Sequence, residues 1–272
     1  MSIQWPLVIF SLLCGTAGMM MAAMGVAEIL GIGSKVRVKG IVSAFVILVV
    51  GGFCVLLHLA QPGNVMGAFT HITSMSPISV EMLAVGVNAI VAIVFFFLAR
   101  GENPNAGALK VVGVIAIITG IMIAFVTGNG YVMESQPAWN NIGLPLGYLG
   151  TAAAAGFGLY GAILAIGGEE GDLKNYALAT IVMGALAIVL PLIYAAMNGF
   201  TVNIPLFVIG VLIVGGIGTI AGGYLAMKGN KNGFYIAAVC GLIGGLCFRI
   251  VMWLACTGYL SLFSEAAIRA VL

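Results

Sequence analysis

Eight apolar runs, separated by short polar or Gly/Pro-containing connections, follow one another along the 272-residue chain. They cover roughly 5–30, 41–60, 79–99, 109–128, 142–166, 176–197, 204–227 and 233–256. A helix that crosses a bilayer needs about 20 mostly apolar residues, and each run meets that length. Nothing alternates with a period of two, so a β-barrel is not expected. Lipid offers the backbone no hydrogen-bond partner, so each run is predicted to be helical. The expected fold is an all-α membrane protein, a single integral domain over 1–272 built as a bundle of eight transmembrane helices.

The basic residues orient these spans. Lys35, Arg37 and Lys39 follow the first, Arg100 and Lys110 the third, Lys174 the fifth, and Lys228 and Lys231 the seventh. The connections after the second, fourth and sixth carry no Lys or Arg. Because Lys and Arg gather on the cytoplasmic side, both termini are expected on the outer, periplasmic side. The first run has no basic segment before it and is too long for a signal-peptide core, so it is expected to remain as a span. Trp5, Trp139 and Trp253 then fall at the outer boundary, with Tyr131, Tyr194 and Tyr259 close by, as an aromatic belt would place them.

Composition agrees. Hydrophobic residues make up 62% and charged residues 7%, where a soluble domain carries about a quarter charged, and the mean hydropathy is +1.21. A net charge of +2 with dispersed basic residues argues against a nucleic-acid partner. Cys14, Cys54, Cys240, Cys247 and Cys256 all lie in apolar runs with no metal-site spacing and read as small buried hydrophobes. The 40 glycines predict close helix packing, with Ala237, Gly241 and Gly245 on the last span and Gly218 and Gly222 on the seventh as seams. GFGLYG at 156–161 matches a dinucleotide fingerprint, but that motif works only where a strand turns into a helix, and here it lies in mid-span. No internal repeat is evident from the sequence.

An ionisable side chain within the bilayer is costly, so each is a candidate for function. Glu28, at the inner end of the first span, is expected to reach headgroup water. Glu169, Glu170 and Asp172 are expected to be solvated in an inner connection. That leaves His58, His71, Glu81, Glu134, Arg249 and Glu265. His58 stands near the outer end of the second span, Glu81 opens the third, and Arg249 lies in the outer half of the last. An imidazole and a carboxylate can each accept a proton in turn, and a nearby cation can hold a carboxylate charged or polarise a bound oxygen. This layer suits oxidation of a lipid-soluble quinol, which releases two electrons and two protons. Haem b in a bundle takes paired histidines from two spans. With one histidine in a span and one in a loop, no haem or metal is expected in this chain, and electrons would leave through a partner.

HLAQP at 58–62, SPISVEML at 76–83 and YVMESQPAWNNIGLPL at 131–146 together resemble the membrane anchor of the dimethyl sulfoxide reductase complex, the DmsC-type family. The resemblance implies a multi-pass protein of the bacterial cytoplasmic (inner) membrane. It also implies two partners on the outer face, a molybdopterin guanine dinucleotide catalytic subunit and an electron-transfer subunit with [4Fe-4S] clusters. The anchor would oxidise menaquinol to menaquinone for them. By motif position, His58 matches the family's quinol-site histidine and Glu81 its carboxylate, and these are the candidate catalytic pair. Gln61, Trp139 and Arg249 complete the candidate quinol-binding set, the last two from depth and chemistry. Three alternatives stay open: an anchor of a polysulfide or thiosulfate reductase, a scaffold that does not touch quinol, and a small-solute or proton transporter.

Overall fold

A computed structural model describes residues 3–57, 72–168 and 173–255. His58, Gln61 and His71, the acidic group Glu169, Glu170 and Asp172, and Cys256, Tyr259 and Glu265 lie outside the described residues. Among the described residues, eight helices are long and apolar enough to cross a membrane. They are α1 (Trp5–Leu30), α2 (Arg37–Leu56), α3 (Pro77–Ala99), α4 (Ala106–Asn129), α5 (Gly143–Ile166), α6 (Lys174–Met197), α7 (Leu206–Met227) and α8 (Gly233–Leu254). No strand occurs among the described residues.

Local chemistry sets the helix ends. Pro6 sits in the first turn of α1 and Gly31 closes it in the left-handed conformation, satisfying carbonyls at Ala27 and Glu28. The Ser76 side chain caps α3 by accepting from the Ser79 N–H at 3.3 Å, with Pro77 at the first position. Asn105 caps α4 by accepting from Ala108 N–H at 3.0 Å. The helix α2 starts at Arg37, four residues before its apolar run was expected to begin. There Arg37 meets Glu28, whose carboxylate receives Arg37 Nε and, at 3.0 Å, Arg37 Nη2. Glu28 therefore does not simply reach headgroup water: it is nearly buried and neutralises the cation that opens the next helix.

The two halves of the chain repeat one pattern of helix contacts. In the first, α1 packs on α2 and α4 while α3 closes the outer side; in the second, α5 packs on α6 and α8 with α7 outside. The central helices α1 and α5 meet side by side and bury 78% and 72% of their apolar stretches, against at most half in the other six. They run in the same direction: Gly15 faces Ala152, and Gly156 faces Met19 and Met20.

Glycines make the approach possible. Gly18 and Gly25 of α1 lie against Gly120 and Gly113 of α4, and a side-chain carbon on Gly120 or Gly25 would run into the facing backbone carbonyl. Gly158 and Gly241 form the α5–α8 seam, where an added carbon would stand 2.6 Å from Ala238 N and 2.7 Å from the Ala154 carbonyl carbon. The glycines of GFGLYG therefore serve packing: Gly156 against α1, and Gly158 and Gly161 against α8. Gly222 meets Gly233 and Ala237, while Gly218 meets Cys240. The first half of α7, Leu206–Ile217, winds as a π-helix before continuing as an α-helix, and it brings Gly215 onto Gly244.

Alternation of the helices gives the bundle two ends. The tryptophan end carries Trp5, Trp139 and Trp253, and the lysine end carries Lys35, Lys39, Arg100, Lys110, Lys174, Lys228 and Lys231.

Candidate functional site: a buried arginine and a carboxylate beneath an aromatic cap

Arg249 is fully buried in α8. One turn earlier, the Gly245 carbonyl accepts Nη1 at 2.8 Å. From α1, the Ser11 carbonyl accepts Nη2 at 2.9 Å and the Ser11 hydroxyl accepts Nε at 3.1 Å. That hydroxyl in turn donates to Val8 O at 3.2 Å. The Tyr148 ring of α5 lies beneath the guanidinium, 4.4 Å from Cζ to centroid, a cation–π contact. Small residues give the head group its room: a carbon added to Gly15 or Gly245 would touch it at 3.5 Å.

A buried charge needs compensation. Arg249 has no carboxylate within ion-pair distance among the described residues. Its compensation comes from two carbonyls, one hydroxyl and an aromatic face. Three of the guanidinium's five N–H groups are thereby used. The Tyr148 hydroxyl approaches Ser11 but makes no hydrogen bond of normal geometry.

Glu81 stands one turn inside α3, half-buried. Its carboxylate rests on Gly130, the residue that ends α4, and a side chain at Gly130 would collide with it. Tyr131 follows directly and donates to Leu7 O at 3.4 Å. Burial pushes the Tyr131 phenol well above its usual range; Tyr148 and Glu81 push the same way, while Arg249 and Ser11 oppose them. Tyr131 therefore stays protonated and lies in the field of both Glu81 and Arg249.

The aromatic rings at this end form a cap. Tyr131 packs on Tyr148 at 5.8 Å, on Trp139 at 5.8 Å and on Trp253 at 6.2 Å between centroids. Trp139 and Trp253 meet edge-to-face at 5.0 Å. Among the described residues of the expected belt, Trp5 alone is half-exposed. Trp139, Trp253, Tyr131 and Tyr194 are buried, because the cluster offers their rings more contact than the headgroup layer would. The Trp139 indole N–H donates to Met252 O at 2.8 Å, so in this structure it walls the cluster and its one donor is committed. The Trp253 N–H is buried with no partner among the described residues.

The structure thus brings Glu81, Arg249 and Trp139 to one end of the bundle. Glu134 of the same connection is exposed. The helix α2 ends at Leu56, and His58 and Gln61 lie outside the described residues. Sequence reasoning missed Ser11 and Tyr148. Only ionisable residues were counted there, and a serine and a tyrosine in apolar runs carry no signal of their own. Among the described residues no group of three or more His, Cys, Asp or Glu could hold a metal.

The sequence model of one protein family, described as DMSO reductase anchor subunit (DmsC), matches residues 1–204. That stretch contains α1 to α6, hence Ser11, Glu81, Tyr131, Trp139 and Tyr148, while Arg249 lies beyond it. A comparison with curated proteins gives no match.

Proposed function

Because the chain belongs to the DmsC family of DMSO reductase anchor subunits, we propose that it oxidises menaquinol at the tryptophan end of its bundle and hands the electrons to an iron–sulfur partner. It is a multi-pass membrane anchor of a DMSO reductase-type complex, and family membership implies catalytic and electron-transfer subunits of a molybdoenzyme as its companions. In our reading these sit on the tryptophan end, which faces outward, since Lys and Arg are concentrated at the other end.

The observation that carries the reading is the position of Tyr131, a buried phenol that follows the Gly130 on which the Glu81 carboxylate rests and packs on the Tyr148 ring beneath Arg249. A quinol brings two hydroxyl protons and two electrons. Glu81 accepts one proton and His58 the other, each through an oxygen or nitrogen lone pair. The remaining N–H groups of Arg249 stabilise negative charge on the ring oxygen as its proton leaves. Tyr131 stays protonated and orients rather than titrates, and Trp139 and Trp253 exclude water. Both protons leave on the side of the partner subunits, so no transmembrane proton path is required.

The transporter reading has less support. Although the helix contacts repeat, the buried charged groups among the described residues, Glu28 and Arg249, lie towards the ends of their spans rather than at the midplane where transporters bind. The test is replacement of His58 by Gln in the purified complex. Quinol-driven reduction should collapse while reduction driven by a soluble dye, which bypasses the anchor, continues. Undiminished quinol-driven turnover would remove His58 from the mechanism.

A further inference from the structure

At the lysine end, α2 and α3 diverge around an apolar groove of about 230 Å³. Ile41, Val42 and Phe45 line one wall and Ile93, Phe96 and Phe97 the other. Val42, Ile93 and Phe97 are substantially exposed, so the groove opens sideways, away from the core of the bundle. It is far from the Arg249 cluster, which lies at the opposite ends of these helices.

The mouth of the groove is cationic. The Arg100 guanidinium lies over the Phe97 ring at 4.5 Å and over Phe96 at 6.0 Å, which places it directly above one wall. Lys39 is exposed and precedes the lining Val42 by three residues, the helical spacing that puts both on one face. Arg37 is already neutralised by Glu28. Neither Arg100 nor Lys39 has a carboxylate in ion-pair distance among the described residues, Glu102 included.

An apolar slot in the hydrocarbon layer, capped by two cations at the headgroup level, matches one kind of molecule. We propose that this groove is a specific site for an anionic phospholipid, with an acyl chain between α2 and α3 and the phosphate held by Arg100 and Lys39. A zwitterionic lipid brings its own cation to the same place and gains less there. An isoprenoid tail could fill the slot but offers nothing to the two cations.

The test uses the complex in mild detergent, stripped of bound lipid and titrated with phosphatidylglycerol or phosphatidylcholine of identical chains, with binding read by native mass spectrometry. The expected result is a several-fold preference for phosphatidylglycerol. The double substitution Arg100→Gln with Lys39→Gln, at exposed positions that leave the fold intact, should bring the two lipids to parity. Ile93→Trp, which fills the groove from its exposed side, should lower binding of phosphatidylglycerol with both cations still present. Equal binding of the two lipids by the unaltered complex would overturn the site. So would a preference that survives the double substitution, phosphatidylglycerol binding unchanged by Ile93→Trp, or displacement of the lipid by menaquinone.

Discussion

The guanidinium of Arg249 in α8 lies over the ring of Tyr148 in α5, 4.4 Å from Cζ to the ring centroid. The pair is held by Ser11 of α1, so three helices converge on one buried charge. A lysine could supply the charge but not the planar fork that reaches the Ser11 hydroxyl, the Ser11 carbonyl and the Gly245 carbonyl together. Arg249→Lys should therefore cut quinol-driven turnover by about tenfold or more, since a hydrogen bond to a charged group is worth about 1.5–3 kcal/mol. Dye-driven activity should be unchanged. Equal loss of both activities would mean that Arg249 only holds the bundle together.

Glu81→Gln keeps the shape of the side chain beside Gly130 and removes its ability to take a proton. Quinol-driven turnover should fall by about tenfold to a hundredfold, in the range typical of a lost general base. The remaining activity should depend less on pH than that of the unaltered complex. A pH–rate profile of the same shape in both would exclude Glu81 as a proton acceptor.

Trp139→Phe keeps an aromatic wall and removes the bond to Met252 O, a carbonyl in the last turn of α8. The cost should be about 1–2 kcal/mol of stability, seen as a lower unfolding temperature. The KM for quinol should barely move. A large rise in KM with unchanged stability would instead make the indole N–H a ligand for quinol.

At Gly25 and Gly120 the α1–α4 seam has no room for a side chain. Gly25→Ala or Gly120→Ala should abolish accumulation of folded protein, because the added carbon meets a backbone carbonyl that cannot move alone. Gly52→Ala and Gly86→Ala, where nothing lies within 4 Å, should be neutral or stabilising by up to about 1 kcal/mol. Levels of detergent-soluble protein after gentle heating separate the two groups.

The orientation is directly testable. A cysteine introduced at exposed Glu134 should react with a membrane-impermeant maleimide on intact cells, and one at exposed Lys35 only after the membrane is opened. The reverse labelling pattern would put the Arg249 cluster on the cytoplasmic side.

The sequence alone determined the class of fold, the number of spans and the charge asymmetry between the two ends. All three depend on composition averaged over about 20 residues, and lipid enforces helix wherever such a run occurs. It also singled out Glu81 and Arg249, because a charge in an apolar run is conspicuous. What it could not reveal depends on which faces meet. Ser11 and Tyr148 became site residues only when α1 and α5 closed on α8, and Glu28 became an ion-pair partner only when α2 began at Arg37. Trp139 and Trp253, belt residues by depth, turned inward because neighbouring rings were there to receive them. Pairwise packing of helices is decided by close contacts between residues far apart in the chain, and hydropathy carries no record of those partners.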